Sequence, residues 1–331
     1  MNILITGGAG FIGSSLTEKL LRLKYLVTAV DNFNPYYPTQ YKREYVQPFF
    51  QRSNYSLVEG DVIDEEFIEK IFKKKKFDTV IHLAASVGVR NSLRYPDQYR
   101  KNNITGTQNV LEAARKNNVR QFIFASSSSV YGNNSTIPFK EDKVTESKLN
   151  PYAQTKKHGE ELCFEYHKKY GLPITIFRFF TVYGPKGRPD MSPYIFTKSI
   201  LEEKQLVIFG DGKQKRDFTN ITDIVRGIVL GLEHEFPFEI FNLGNSSPVE
   251  LRNFISIIER IAKKKAYIRF NKENRYEMRD TYADIKKSGK LLGYKPKIGL
   301  EEGVEIFINW FKEIECRNKS CTTSLTKCYL T

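Results

Sequence analysis

At 331 residues the chain is about twice the length of a common single domain, so one large layered domain with a smaller one attached is expected. Apolar residues at 40% with 13% aromatic are enough to build a core, which excludes a disordered chain; no apolar run approaches the roughly 18 residues that a membrane span needs, which excludes membrane insertion. The 52 Lys and Arg exceed the 38 Asp and Glu to give +14, but they fall in short runs such as residues 73–76 and 263–265, which read as solvated helix faces and not as a nucleic-acid surface.

Residues 3–6, 26–30, 55–58, 79–84, 121–125 and 174–179 are short β-rich runs separated by segments with helical apolar spacing. The alternation predicts an α/β fold, a doubly wound parallel sheet covered by helices on both faces, with ligands at the carboxyl ends of its strands. The opening Met1-Asn2-Ile3-Leu4-Ile5-Thr6 has no basic start or long apolar stretch, so a cytoplasmic protein is expected.

Thr6-Gly7-Gly8-Ala9-Gly10-Phe11-Ile12-Gly13 follows the first strand and opens a helix expected over residues 14–23. Glycines at this spacing permit a tight turn, let backbone approach a pyrophosphate and let helix pack on strand, while the helix N-terminus offers free N–H groups to the anion. The second strand ends at Asp31, placed to accept bonds from the adenosine ribose hydroxyls. No Arg follows in Asn32-Phe33-Asn34, so the pattern favours NAD over NADP. Further along, Asp61-Val62 is expected beside the adenine, and Leu83-Ala84-Ala85 supplies small residues where backbone must pass the cofactor. His82 reads as a core histidine.

The fifth strand runs into Ser126-Ser127-Ser128-Ser129-Val130-Tyr131-Gly132. Pro151 then opens a helix in which Tyr152 and Lys156, four residues apart, share a face. A phenol near pKa 10 becomes a useful base only where neighbouring positive charge favours the phenolate, and an ammonium beside it together with a cationic nicotinamide meets that need. The serine hydroxyls are placed to hold a substrate oxygen beside Tyr152.

After Phe180 the rhythm gives way to Gly184-Pro185-Lys186-Gly187-Arg188-Pro189 and Gly210-Asp211-Gly212, with shorter elements. Segments near 222–232 and 239–243 are expected to return to the first sheet. The expected division is a dinucleotide-binding domain over 1–180 plus about 217–245, a smaller interleaved α/β domain over about 181–216 and 246–314, and a tail over 315–331. Three of the four cysteines lie in that tail without metal-ligand spacing, so no metal site is expected.

The glycine motif with Tyr-x-x-x-Lys resembles the extended short-chain dehydrogenase/reductase family, whose sugar-nucleotide branch is the NAD-dependent epimerase/dehydratase group. Asp31-Asn32-Phe33-Asn34-Pro35-Tyr36-Tyr37, Gly88-Val89-Arg90-Asn91-Ser92-Leu93, residues 125–132 and Arg178-Phe179-Phe180-Thr181-Val182-Tyr183-Gly184-Pro185, running on to Asp190-Met191, resemble its UDP-glucuronate 4-epimerases from residue 1 to about 311. The resemblance implies NAD held by Gly7, Gly10, Phe11, Ile12, Gly13, Asp31, Asn32, Asp61, Val62, Leu83, Ala84, Ala85 and Asn103 together with Tyr152 and Lys156. It implies Tyr152 as base, Lys156 holding the nicotinamide ribose and lowering the tyrosine's pKa, and Ser127 bonding the sugar 4-oxygen. UDP-sugar contacts are implied for Arg90, Ser127, Ser128, Ser129, Thr181, Arg188, Asp190, Phe209, Arg216 and Glu277. At the last of these the chain departs from the family, with Tyr276-Glu277 where relatives usually carry Gly-Asp.

The implied reaction is 4-epimerization of a UDP-sugar through a transient 4-keto intermediate, UDP-glucuronate to UDP-galacturonate, which would serve surface polysaccharide synthesis. A UDP-glucose or UDP-N-acetylglucosamine 4-epimerase remains open, as does a non-catalytic NAD-sensing Rossmann protein, for which Tyr152 and Lys156 together would have no use. A homodimer is expected from the family, with no nucleic-acid or membrane partner.

Overall fold

The computed structural model describes residues 1–133, 136–143, 149–272 and 278–328, with side chains as far as residue 314. Its strands are β1 (Asn2–Thr6), β2 (Leu26–Asp31), β3 (Tyr55–Glu59), β4 (Thr79–His82), β5 (Gln121–Ser127), β6 (Ile174–Phe179), β7 (Thr181–Tyr183), β8 (Gln205–Phe209), β9 (Lys215–Asn220), β10 (Phe238–Leu243), β11 (Pro248–Glu250) and β12 (Tyr267–Asn271).

Seven strands form one sheet in the order β10-β6-β5-β4-β1-β2-β3, and every pair in it is parallel. Successive side chains on a strand point to opposite faces, and the burial follows that alternation. Ile3, Ile5, Val27, Ile81, Ile123 and Phe177 pack in one core with the helices Phe11–Arg22 and Ile221–Glu233. Leu4, Val30, Val80, Phe122, Phe124 and Ile176 pack in the other with Glu65–Lys74, Gly106–Lys116 and Pro151–Tyr170. Burial on both faces explains why these strands read as continuous apolar runs.

All six expected strands are present. The fourth stops at His82, two residues early, because Leu83 and Ala84 leave the ladder to bond Thr6 through its carbonyl and hydroxyl. The return expected near residue 239 is β10, which pairs with β6. The strand order reverses between β1 and β4, and this switch point opens a crevice at the carboxyl ends of the strands.

The remaining strands form a three-stranded sheet, β11-β9-β7, and a two-stranded one, β12-β8. They share a core of Leu206, Ile208, Phe218, Phe254, Ile258 and Ile308 with the helices Ser192–Leu201, Leu251–Ala262 and Leu300–Cys328. The last helix continues beyond Ile314, where the packed part was expected to end. Among the described residues no helix is long and apolar enough to cross a membrane, and no cluster of His, Cys, Asp and Glu could hold a metal ion.

Candidate active site

A cleft of about 610 Å³ runs along the switch point, bounded on one side by the glycine loop and on the other by the serine turn and the loop carrying Arg188. The glycine loop is shaped by close backbone contacts. Gly7 has φ +70°, and a Cβ there would stand 2.8 Å from the Ala84 nitrogen; a Cβ on Gly13 would stand 2.1 Å from the Gly7 carbonyl oxygen. Gly10 is the N-cap of Phe11–Arg22 and has no side chain to close its first turn, so the helix end is left for an anion. Gly7, Gly10, Phe11, Ile12 and Gly13 all line the cleft. A dinucleotide pyrophosphate therefore fits the residues present.

At the end of β2, Asp31 is buried, with Oδ2 accepting from Ala9 N at 3.1 Å and Oδ1 from Phe33 N at 2.8 Å. Asn32 donates from Nδ2 to Asp61 Oδ2 at 2.8 Å, tying the ends of β2 and β3 together. Asp61, Val62, Leu83, Ala84 and Ala85 complete this end of the cleft. Asn103 is not on the wall: its amide is spent on Ser86 N (2.7 Å), Ser86 O (2.9 Å) and Thr155 Oγ1 (2.9 Å), so it supports the Ser86 loop from behind.

His82 lies beneath this end and is wholly enclosed. Thr107 donates its only hydroxyl proton to the Asn103 carbonyl at 2.7 Å, so it accepts from His82 Nε2–H at 3.0 Å, and His82 Nδ1 accepts from the Thr6 hydroxyl at 2.7 Å. Burial, with Lys156 adding repulsion, lowers its pKa to about 3, so the ring is neutral. It is a core histidine that joins the glycine loop to the Asn103 turn.

At the catalytic end, Asn150 caps the helix by accepting from Ala153 N at 3.0 Å, which sets Tyr152 and Lys156 in its first two turns. The Tyr152 ring meets Tyr99 edge-on, with centroids 6.3 Å apart. Burial raises the Tyr152 pKa, while a hydrogen bond with Ser127 and the charge of Arg188 lower it. Lys156 Nζ donates to the Ala125 carbonyl at 2.7 Å, and burial brings its own pKa down to about 8.

Ser127 Oγ also accepts from the Ser129 N–H and donates to the Ser129 hydroxyl, both at 3.2 Å, which closes the turn Ser128–Tyr131. Ser127, Ser128, Ser129, Thr181 and Arg188 line the cleft around Tyr152. Arg188 is held by Asp190 through two bonds of 2.9 and 2.6 Å, and Asp190 takes a third from the Tyr36 hydroxyl at 2.9 Å. Gly88 packs against this cluster, with space for no Cβ beside the Tyr36 hydroxyl. Asp190 thus orients Arg188 and does not itself line the cleft. Arg90 lies over the Phe209 ring at 4.2 Å, and Arg216 donates to the carbonyls of Lys215 and Arg279, all outside the cleft wall. Glu277 lies outside the described residues.

Two features escaped sequence reasoning. Ser126 donates to Glu160, whose carboxylate takes Arg178 Nε at 2.9 Å and Nη2 at 2.7 Å, so a buried ion pair stands behind the serine turn. Lys42, eleven residues beyond Asp31, reaches back to it. Glu160 repeats the four-residue helical step of Tyr152 and Lys156, a usable signal; nothing in the pattern around Lys42 announces its partner.

This fold and cleft define a dinucleotide-dependent sugar-nucleotide enzyme class, and residues 3–244 match the NAD dependent epimerase/dehydratase family. The chain belongs to that family. A UDP-glucuronate 4-epimerase from Thermodesulfobacterium geofontis is 44% identical over 314 residues, covering 94% of this chain and 96% of that protein. The crystal structure of a UDP-glucuronic acid 4-epimerase from Bacillus cereus, in complex with UDP-glucuronic acid and NAD, is 40% identical with a TM-score of 0.90, covering 95% of this chain and all of that one. A UDP-glucose 4-epimerase from Thermotoga maritima, solved with UDP-glucose, is 32% identical with a TM-score of 0.87 over 95% of this chain and 99% of its own.

Proposed function

We propose that this protein is an NAD-dependent UDP-sugar 4-epimerase whose substrate is UDP-glucuronate and whose product is UDP-galacturonate. The observation that carries the reading is the distribution of charge in the cleft. Among the described lining residues the carboxylates are Asp31 and Asp61, both at the dinucleotide end, whereas the end around Tyr152 offers Ser127, Ser128, Ser129, Thr181 and Arg188. An acidic sugar meets donors there and no carboxylate among the described lining residues.

The glycine loop holds the pyrophosphate, Asp31 and Asn32 the adenosine ribose, Asp61 and Val62 the adenine, and Leu83 to Ala85 the backbone approach to the cofactor. When bound, NAD supplies the hydride acceptor for the sugar's C4 and afterwards the hydride donor. Ser127 holds the 4-oxygen and Tyr152 takes its proton, so the carbon becomes a ketone. Turned over within the pocket, the sugar presents its other face, and Tyr152 returns the proton to the 4-oxygen as C4 is reduced. Lys156 holds the nicotinamide ribose from its seat on Ala125. Tyr152 begins above its ordinary pKa, so it works as a base with the charge of Arg188, the Ser127 bond and the positive charge of the oxidised cofactor together.

A uronic acid adds a hazard, because the 4-keto intermediate is a β-keto acid that can lose CO₂. Residues 126–129 bring only hydroxyls to the turn, so no additional acid or base promotes that loss, and Ser128, Ser129 and Thr181 clamp the carboxylate. The uridine diphosphate end falls to Arg90, Phe209 and Arg216, beyond the cleft wall, with Asp190 acting there through its hold on Arg188. A cytoplasmic homodimer belongs to the same reading, and sedimentation tests the dimer. The deciding experiment is incubation with UDP-glucuronate, UDP-glucose and UDP-N-acetylglucosamine followed by NMR. Conversion of UDP-glucuronate to UDP-galacturonate is expected; preferential turnover of a neutral sugar refutes the substrate, and turnover of none refutes the activity.

A further inference from the structure

Asp31 and Lys42 form an ion pair inside the cleft wall. Lys42 Nζ lies 3.3 Å from Asp31 Oδ1, the two side chains are 10% and 5% exposed, and both residues line the cleft. A carboxylate has about four acceptor positions. Here Oδ1 takes Phe33 N and Lys42 Nζ while Oδ2 takes Ala9 N, which leaves one position for a ligand. A ribose diol has two hydroxyls to place, so Asp31 alone does not satisfy it. The Lys42 ammonium carries three donors, of which Asp31 uses one, and it sits 5.5 Å from the centre of the Tyr37 ring, which bounds its other side.

We propose that Lys42 is a specificity-determining residue for the dinucleotide. One ribose hydroxyl donates to Asp31 Oδ2 and the neighbouring oxygen accepts from Lys42, so the ion pair grips the diol from both sides. The same ammonium offsets the carboxylate's charge and would serve as counter-ion to a 2′-phosphate. Asp31 is then what rejects NADP, and Lys42 limits how strongly it does so. This rests on the cleft being the dinucleotide site of the proposed function and needs no sugar nucleotide.

The test is calorimetric titration of NAD and of NADP into nucleotide-stripped protein without UDP-sugar, for wild type, Lys42→Met, Lys42→Arg, Asp31→Asn and the double variant Asp31→Asn/Lys42→Met. Wild type prefers NAD. Lys42→Met weakens both ligands but NADP more, widening the ratio of dissociation constants by about tenfold, the usual size of a lost charge-assisted contact, while Lys42→Arg keeps the wild-type ratio. Asp31→Asn turns the preference toward NADP by about tenfold or more with no cation added, and the double variant loses that gain. Lys42→Gln, which retains a donor without the charge, reproduces the wider ratio should the methionine variant fold poorly. An unchanged ratio in both uncharged variants, or an NADP gain from Asp31→Asn that survives removal of Lys42, overturns the proposal and assigns selectivity to another group such as Arg43. Binding of neither dinucleotide by wild type refutes the proposed function as well, an outcome distinct from an unchanged ratio.

Discussion

Replacing Glu160 by Gln tests whether the buried pair behind the serine turn sustains both stability and catalysis. The Glu160 carboxylate takes two parallel bonds from Arg178 and one from Ser126, with the Arg178 and Glu160 side chains only 3% and 9% exposed. Arg178 also donates to the Tyr131 hydroxyl and the Glu141 carbonyl, both at 3.0 Å, and Tyr131 donates to Asn242 Oδ1 at 2.7 Å, so the guanidinium cannot leave without dismantling β5, β6 and β10 contacts. A glutamine offers one acceptor oxygen where two were used, turns an N–H₂ toward a guanidinium N–H, and leaves a cation uncompensated in the core. Breaking one partner of such a pair costs about 3–5 kcal/mol, which for a chain of this size lowers Tm on the order of 10 °C. Replacing both partners by Met removes the charges together, though with them the Arg178 bonds to Tyr131 and Glu141, so it should recover part of that loss. Because Ser126 loses its acceptor next to Ser127, kcat should fall while NAD affinity holds. Thermal unfolding of the single and double variants with steady-state kinetics decides it: a Glu160→Gln variant within about 1 kcal/mol of wild type, or a double variant as unstable as the single one, refutes the reasoning.

Three further outcomes are expected. Tyr152→Phe keeps its packing on Tyr99 but loses the ionisable hydroxyl, so epimerization should fall by about 10²-fold or more with NAD and UDP-sugar affinity nearly unchanged, and near-wild-type turnover would exclude Tyr152 as the base. His82 binds its proton far less readily when folded (pKa about 3) than when unfolded (about 6.5), so stability falls as pH drops through that window by up to a few kcal/mol. His82→Gln, which can accept from Thr6 and donate to Thr107, should flatten this acid limb in denaturant titrations across pH, and an identical limb in both proteins would show that His82 does not titrate there. Ser128→Ala and Thr181→Ala should weaken UDP-glucuronate by roughly 1.5–3 kcal/mol each while leaving UDP-glucose little affected, and should release CO₂ and accumulate NADH with a 4-keto pentose; equal losses for both sugars without CO₂ would refute the carboxylate clamp.

The parallel sheet, its six leading strands and the glycine loop were legible in the sequence because each depends on short-range chemistry: β-rich runs of four to six residues, glycines where backbone must approach backbone, and a helical step of four between Tyr152 and Lys156. The return of a segment near 239–243 to the sheet was expected as well, and β10 makes it by pairing with β6. What the tertiary structure decided are the partnerships between residues far apart in the chain. Lys42 and Asp31 meet because the segment after β2 folds back over its end, and Arg178 and Glu160 meet because β6 packs beneath the helix that carries Tyr152. The electrostatics of Tyr152 were decided in the same way. Lys156 is its neighbour on the helix and its ammonium donates to the Ala125 carbonyl, while Arg188, on a loop more than thirty residues away in sequence, brings a further positive charge near the phenol. Spacing along a helix determines which side chains share a face, whereas the field at a buried oxygen depends on every charge the fold brings near it and on the water it excludes.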